Sequence, residues 1–494
     1  MPHVVTQSCC GDASCVYACP VNCIHPTPDE PDFHTSDMLY IDPVACVDCG
    51  ACVSACPVEA IAPHDRLGPA QLPFVEINAG YYRDAPPRPL LAPVTPPLSL
   101  PAGREPLDVA VVGTGPAAIY AADEVLTCPD ARVTLYERLS SPYGLVRSGV
   151  APDHVKTRRV TELFDRIVAQ DALRVVYDTE IGRDLTHDDL LDRHHAVIYA
   201  VGASSDRRLD VPGRELAGTA TEFVAWYNGH PDHADHDFDL SHPRAVIIGN
   251  GNVALDVARI LTADPGALAA TSIARPALAA LRGSRVEEVV IAARRGIAES
   301  AFTLPELVGL METPGIDLVL DPGDLAEGPE RPLDHATSEK TRLLRDLAER
   351  SPSGAGKRVV LRYLSSPLAL LGDGRAQGIE LGRNAYASGG VEPTGASEIL
   401  DTGLVLTSIG YRGTAVPGVP FDAARGVIPN AEGRVLTEPE GPVLPGVYAT
   451  GWIKRGPTGF IGTNKQCAQQ TVRHLVDDHA EGRLRRPAAL AAGL

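Results

Sequence analysis

Nine of the eleven cysteines in this 494-residue chain lie at or before Cys56. The run ACVDCGACVSACP sets Cys46, Cys49, Cys52 and Cys56 at the spacing CxxCxxCxxxCP. Three thiolates at that spacing hold three irons of one cubane cluster, and the fourth cysteine, turned away by the proline, reaches a second cluster. The earlier run SCCGDASCVYACP repeats the pattern with Cys9, Cys15 and Cys19, but Asp12 stands where another thiolate is expected. Crossing the ligands gives one complete set, Cys46, Cys49, Cys52 and Cys19. The other set is Cys9, Cys15 and Cys56, with Asp12 at the fourth corner. A carboxylate is a harder and weaker ligand than a thiolate for such an iron. A zinc site would leave cysteines over. Cys10 and Cys23 read as neighbours of the ligands, Cys128 and Cys467 as packing residues.

Two further stretches could bind a pyrophosphate. GTGPAA places Gly113, Gly115 and Ala118 between an apolar strand and a helix, and GNGNVA does the same with Gly249, Gly251 and Ala254. Glycines there let the backbone approach the phosphates at the helix N-terminus. Glu137, at the end of VTLYE, lies where a carboxylate bonds a ribose. After the second unit the strand VVIAA ends in Arg294 and Arg295. Two guanidinium groups suit a ribose 2′-phosphate, which favours NADP(H) over NAD(H). No CxxC follows the first unit, so a redox-active disulfide is not expected. The histidines 230, 233, 236 and 242 read as a solvent-exposed loop, not a metal site.

These motifs require elements to carry them, and the sequence supplies three zones. The first, to residue 80, is cysteine-rich and has no Lys or Arg before Arg66. Its acidity predicts steering to basic partners, the later part of this chain included. A proline-rich stretch over 81–106 predicts a semi-rigid linker at ~3.1 Å per residue. Each Gly-rich unit is then closed by an apolar strand ending in glycine, AVIYAVG and LVLTSIG, which predicts two dinucleotide-binding domains. Together with the family resemblance described next, this implies the division 1–80 two-cluster ferredoxin domain, 81–106 linker, 107–205 first part of the FAD-binding domain, 206–412 NADP-binding domain and 413–494 second part of the FAD-binding domain. A formal charge of −19 argues against a nucleic-acid ligand. No stretch approaches the ~20 apolar residues of a membrane span, and no leader pattern is visible, so a cytoplasmic protein is expected.

PYGLVRSGVAPDH, GNGNVALDVAR, RRGIAESAFTLPEL and GWIKRGPTGFIGTNK resemble adrenodoxin-reductase-type ferredoxin–NADP reductases. The N-terminal zone is similar to a bacterial two-cluster ferredoxin, and the combination resembles the actinobacterial reductases with a fused ferredoxin domain. The resemblance implies an α/β fold: two Rossmann-like domains, for FAD and NADP, plus an N-terminal α+β ferredoxin domain. It implies FAD contacts at Gly113, Gly115, Glu137, Leu145 and Trp452, and a nicotinamide–flavin approach at Gly459. It implies NADP contacts at Asn250, Gly251, Asn252, Val253, Arg294, Arg295 and Glu306, and supporting roles at the flavin for His154 and Glu306. Relatives commonly carry a second glutamate at the place of Gly309, with Glu312 the candidate to stand in. The cofactors implied are FAD, NADP(H), one 4Fe-4S cluster, and a 3Fe-4S or second, labile 4Fe-4S cluster at Asp12.

The expected activity is hydride transfer from NADPH to FAD, then single-electron transfer to the fused ferredoxin and on to an external ferredoxin or cytochrome P450-type acceptor. The linker suggests a tethered domain whose docking need not be tight, so that cutting it slows electron arrival at the clusters. Two rivals stand beside this: an electron-input subunit of the glutamate-synthase small-subunit type, and a non-enzymatic iron-sulfur redox sensor.

Overall fold

A computed structural model describes residues 2–83, 89, 98–101, 103, 105–325, 332–354, 356–387 and 390–487. Most of the proline-rich linker and the tail after 487 therefore lie outside the described residues. The duplication read in the cysteine runs is a duplication of backbone. Helix α1 (Ser14–Ala18) and helix α2 (Ala51–Ala55) each begin after a residue of positive φ, Ala13 at 59° and Gly50 at 76°. Each ends on a cysteine before proline with the same extended geometry, Cys19 at φ −78°, ψ 115° and Cys56 at φ −78°, ψ 116°. The prolines cannot continue the helix, so both cysteines leave it alike. Strands His3–Val5 and Ile61–Pro63 pair antiparallel, as do Ile24–His25 and Tyr40–Ile41. Helix α3 (Pro73–Tyr81) closes the unit, its Asn78 side chain bonding to both strand systems through Val5 and Ile41.

Beyond residue 105 the chain forms two parallel sheets. One has seven strands in the order 430–431, 434–436, 443–449, 196–199, 108–112, 132–136 and 173–176, parallel from the third strand onward. Its strand Asp108–Val112 feeds helix α4 (Pro116–Val125) through GTG. The other has six parallel strands in the order 218–219, 404–407, 244–248, 288–292, 357–362 and 316–320. Its strand Arg244–Ile248 feeds helix α5 (Asn252–Thr262) through GNG. Strands buried on both faces read as the unbroken apolar runs DVAVV, AVIY, AVII and EVVIA. Helices α6 (Leu304–Met311) and α7 (His335–Ala348) flank the second sheet, and α8 (Thr463–Ala480) returns to pack on α4. A three-stranded antiparallel sheet over 365–401 is added to the second unit.

The N-terminal cysteine-rich unit, expected to be the ferredoxin unit, is packed into both halves. Cys10, Val58 and Ala60 are buried in one core with Ala117 and Tyr120, and the partly buried Ile461 packs against it. Leu304, Val308 and Ala336 of α6 and α7 are buried in the core of the ferredoxin unit. This differs from a loosely docked tethered domain, because composition shows a linker but not the shape fit that makes it unnecessary. No helix among the described residues is long and apolar enough to cross a membrane.

Candidate functional site

Four of the thiols expected together, Cys19, Cys46, Cys49 and Cys52, line one cavity with Val21, Ile24, Ile41 and His3. Cys23 is also in its wall, its sulfur 3.4 Å from that of Cys19. A zinc ion bound at ~2.3 Å would draw its sulfurs to about 3.8 Å of one another. Among the described residues no three thiols lie within 4.8 Å of each other, so none are gathered at the spacing of a single ion's ligands. Cys9, Cys15, Cys56 and Asp12 form the second group, at the face turned to the rest of the chain. Burial pushes the Cys9 thiol up to about 12 and that of Cys15 well above its usual value. Sulfurs held that way become thiolates only where a cation compensates them, which suits a metal cluster.

Asp12 itself is committed elsewhere. Its carboxylate accepts from the Ser14 hydroxyl and, at 3.3 Å, from the Ser14 N–H. Lys465, from GTNK, donates to Ser14 Oγ at 3.0 Å and lies 3.8 Å from Asp12. The Gly462 N–H donates to the Cys10 carbonyl at 2.8 Å, and a Cβ on Gly462 would fall on the backbone of Gly11 and Asp12. The cysteine-poor corner is thus seated on GWIKRGPTGFIGTNK.

The two Gly-rich turns have the same construction. Gly113 has φ +104°, and a Cβ there would stand 2.7 Å from the Ala200 carbonyl. Gly249 has φ +105°, and its Cβ would meet the Ser408 carbonyl. Gly115 and Gly251 cap α4 and α5 with no side-chain cap, and both face open space. Uncapped helix N–H groups at an open glycine fit a pyrophosphate at each turn. Glu137 accepts from the Thr114 hydroxyl and from the Leu139 N–H at 2.9 Å. Ala118 is buried against the sheet in α4, and Leu145 is exposed. Trp452 stacks on Tyr411 at 5.6 Å and donates from Nε1 to the Thr458 carbonyl, next to Gly459.

At the second turn the Asn252 side chain accepts from the Thr303 N–H at 2.8 Å and fixes the start of α6. Val253 packs at the edge of the core, and Asn250 bonds to Tyr363. The carbonyls of Arg294 and Arg295 accept from Asn384 and Leu364, which pins their turn and leaves both side chains exposed. Neither guanidinium has an ion pair among the described residues, and two such cations fit a phosphate.

His154 and Glu306 come together between the two halves. His154 Nε2 lies 3.6 Å from Glu306 and 3.3 Å from Asp256. Arg259 pairs with Asp256 at 2.8 Å and Asp153 at 2.7 Å and lies 3.9 Å from Glu306. Burial favours a neutral imidazole, but the Glu306 and Asp256 carboxylates outweigh it and carry the His154 pKa up to about 9. Arg259 and an imidazolium set two positive charges against the three carboxylates, and burial pushes the Glu306 carboxyl above its usual value. Glu306 Oε2 and Arg259 Nη1 are buried without a hydrogen-bond partner. Glu306 thus lies in this cluster, where the resemblance also placed a nucleotide contact. Glu312 is exposed at the end of α6 and does not stand in for a second glutamate. In its stead the ferredoxin unit supplies Gln7, which hydrogen-bonds to Glu306. A Cβ at Gly309 would fall on the Gln7 amide, so the glycine makes room for it.

The pyridine nucleotide-disulphide oxidoreductase family matches residues 107–295, and the 4Fe-4S dicluster domain matches residues 8–60. A probable ferredoxin/ferredoxin–NADP reductase of Mycobacterium tuberculosis is 58% identical over 510 residues, covering 100% of this chain and 87% of that protein. The chain belongs to the ferredoxin–NADP reductase family. The NADPH-ferredoxin reductase FprA of Mycobacterium tuberculosis is 43% identical over 387 residues, 75% of this reductase and 84% of FprA. A solved structure of FprA in complex with NADPH aligns with TM-score 0.72 at 41% identity, over 79% of this reductase and 89% of that chain. The reductase is an NADPH-dependent oxidoreductase with an N-terminal 4Fe-4S domain.

The structure adds residues to its site that motif reading passed over. Asp256 and Arg259 follow Asn252 by four and seven positions, one face of α5, a signal present in GNGNVALDVAR but read only for its glycines. Asp153 stands beside His154 in APDH. Gln7 carries no motif and is brought in by docking alone. The histidines 230 to 242 do not converge with other ligands among the described residues. Cys128 is buried in the first core, and Cys467 accepts from the Gly451 N–H at 3.3 Å.

Proposed function

We propose that the reductase takes a hydride from NADPH onto FAD and releases the electrons singly to its own ferredoxin domain and then to an external protein acceptor. The observation that carries this reading is the seating of Gly11 and Asp12 against Gly462, which joins a thiol-lined group to the GWIKRGPTGFIGTNK segment. When bound, flavin supplies the conversion of a two-electron donor to one-electron acceptors, and the thiolate-held clusters supply one-electron capacity. The chain's own residues align and charge the site. Gly113, Gly115 and Ala118 accommodate the FAD pyrophosphate, with Glu137 on its ribose and Leu145 and Trp452 at its ring end. Gly249, Asn250, Gly251, Asn252 and Val253 form the corresponding NADP turn, and Arg294 and Arg295 bind the 2′-phosphate. Gly459 leaves room for the nicotinamide. His154, held charged by Glu306 and Asp256, orients and stabilises the site and need not act as an acid or base.

Cys19, Cys46, Cys49 and Cys52 hold a 4Fe-4S cluster, and Cys9, Cys15 and Cys56 hold a 3Fe-4S cluster beside Asp12. The commitment of Asp12 to Ser14 and Lys465 supports an open corner there. Anaerobic EPR tests both points. The expected result is a three-iron signal in the protein as isolated and a four-iron signal after NADPH. Substitution Asp12→Cys should convert the first signal. Flavin bleaching by NADPH without any change in the cluster signals would overturn the electron route, and an unchanged oxidised spectrum in Asp12→Cys would overturn the role of Asp12.

A further inference from the structure

The ferredoxin unit meets the rest of the molecule with one end and meets solvent with the other. Asp12, Asp37 and Glu59 are spent on the inner end, against Lys465, Lys340 and Arg159. The outer end is the loop 43–49, which carries Cys46 and Cys49. Cys49 is exposed, as are Ala45 and Asp48. Val44 is 93% exposed and Val47 59%, the former the most exposed large apolar side chain among the described residues.

A single exposed valine is ordinary. Two within four residues, with an alanine between them and an exposed ligand cysteine two positions on, form a patch at the mouth of a redox site. The loop is also held in shape. The Asp42 carboxylate accepts from the Val44 N–H at 2.8 Å, the Cys46 N–H donates to the Asp42 carbonyl at 3.0 Å, and Asp48 pairs with buried His3 at 2.9 Å. Val44 is therefore presented outward by a fixed backbone, and Val47 forms the rim between the patch and the thiol-lined cavity.

We infer that the loop 43–49 is the docking surface for the external acceptor, a one-electron redox protein whose contact face has an apolar centre and a basic rim. The charge carries the choice of partner. Residues 1–65 contain no Lys or Arg, and the charged side chains of the loop and its flank, Asp42 and Asp48, are acidic. Such a face steers a basic protein to it and repels an acidic one. The step is balanced by two partner molecules. Each NADPH leaves as NADP+ and a proton, and each partner is reduced by one electron. The inference rests on the proposed function for the electrons, but the surface can be tested without them.

The probe is oxidised cytochrome c, a basic haem protein, titrated calorimetrically into the holoenzyme without NADPH at about 20 and 150 mM salt. Binding is expected at low salt and should weaken at the higher one. The variant Val44→Lys should lose roughly tenfold or more in affinity and as much in NADPH-driven cytochrome c reduction. Its cluster EPR signals and its reduction of a small dye should stay as in the wild type. Ile399→Lys, an equal charge change at a distant exposed site, should leave binding within twofold. Wild-type binding by the loop variant, an equal loss in the distant variant, tighter binding of an acidic 2Fe-2S ferredoxin, or no binding of cytochrome c at low salt would each overturn the assignment. Failure of the proposed electron route would show separately, as cytochrome c bound but not reduced.

Discussion

At the scale of the residue, the cluster around His154 decides how the site responds to pH. Its imidazole faces Glu306, Asp256 and Arg259, with Gln7 on the far side of Glu306. The folded pKa, about 9, lies above the ~6.5 of an unfolded chain. A group raised on folding contributes its full stability below the unfolded value and loses it as pH rises through the folded one. Wild-type stability should therefore fall between about pH 6.5 and 9 by on the order of 2 kcal/mol more than that of a His154→Gln variant. Thermal unfolding across that range measures it, and parallel pH slopes for the two proteins would remove His154 as the source. The motif PDH made His154 and LPEL made Glu306 legible as sequence. What the sequence lacked was the acid–base balance around them, because Asp153, Asp256 and Arg259 come from two segments whose approach depends on the fold. Gly309 looked like a lost carboxylate. It is a notch for an amide from 302 positions earlier, since Gln7 and Gly309 meet only when the two domains are packed.

At the scale of the element, helix α6 shows how the ferredoxin unit builds part of the nucleotide half. Its N-cap, Thr303, makes no side-chain cap, and the Leu304 N–H instead donates to Asp37 of the ferredoxin unit at 2.7 Å. Lys340 of α7, itself buried, lies 3.4 Å from the same carboxylate and donates to the Phe302 carbonyl at 3.0 Å. Replacing Asp37 by Ala would remove a cap and leave a buried ammonium with one partner fewer. The expected loss is roughly 2–4 kcal/mol. Asp37→Asn should lose less, because its amide oxygen can still accept from Leu304. Urea unfolding of the three proteins measures both, and equal stability of Asp37→Ala and wild type would refute the inter-domain cap. Elements of this kind divide cleanly by legibility. The strand–turn–helix units at GTG and GNG were readable, because the glycines must be there for local steric reasons. The start of α6 was not, because no Ser, Thr, Asp or Asn side chain of its own segment satisfies it.

At the scale of the whole molecule, the proline-rich linker invites a picture of a swinging domain, and the packing argues for a fixed one. A tether gives an effective concentration on the order of millimolar, which matters only when intrinsic docking is weaker than that. Here the two pieces share apolar cores, with Cys10, Val58 and Ala60 buried on one side and Leu304, Val308 and Ala336 on the other. The acidic balance of the first zone, read as steering, is used at contact as well, where Glu59 meets Arg159, Asp37 meets Lys340 and Asp12 meets Lys465. Salt would screen the exposed Glu59–Arg159 pair but would act little on the less exposed Asp37–Lys340 and Asp12–Lys465 contacts and would not loosen the apolar ones. A protease site placed between residues 84 and 97 and cleaved in the folded holoenzyme should therefore leave the two pieces together. They are expected to co-elute in size exclusion at about 1 μM and physiological salt, and NADPH should reduce the clusters at the rate seen in the intact chain. Separation of the pieces, or a slowed cluster phase with flavin reduction unchanged, would restore the tethered domain and show that the linker does the holding.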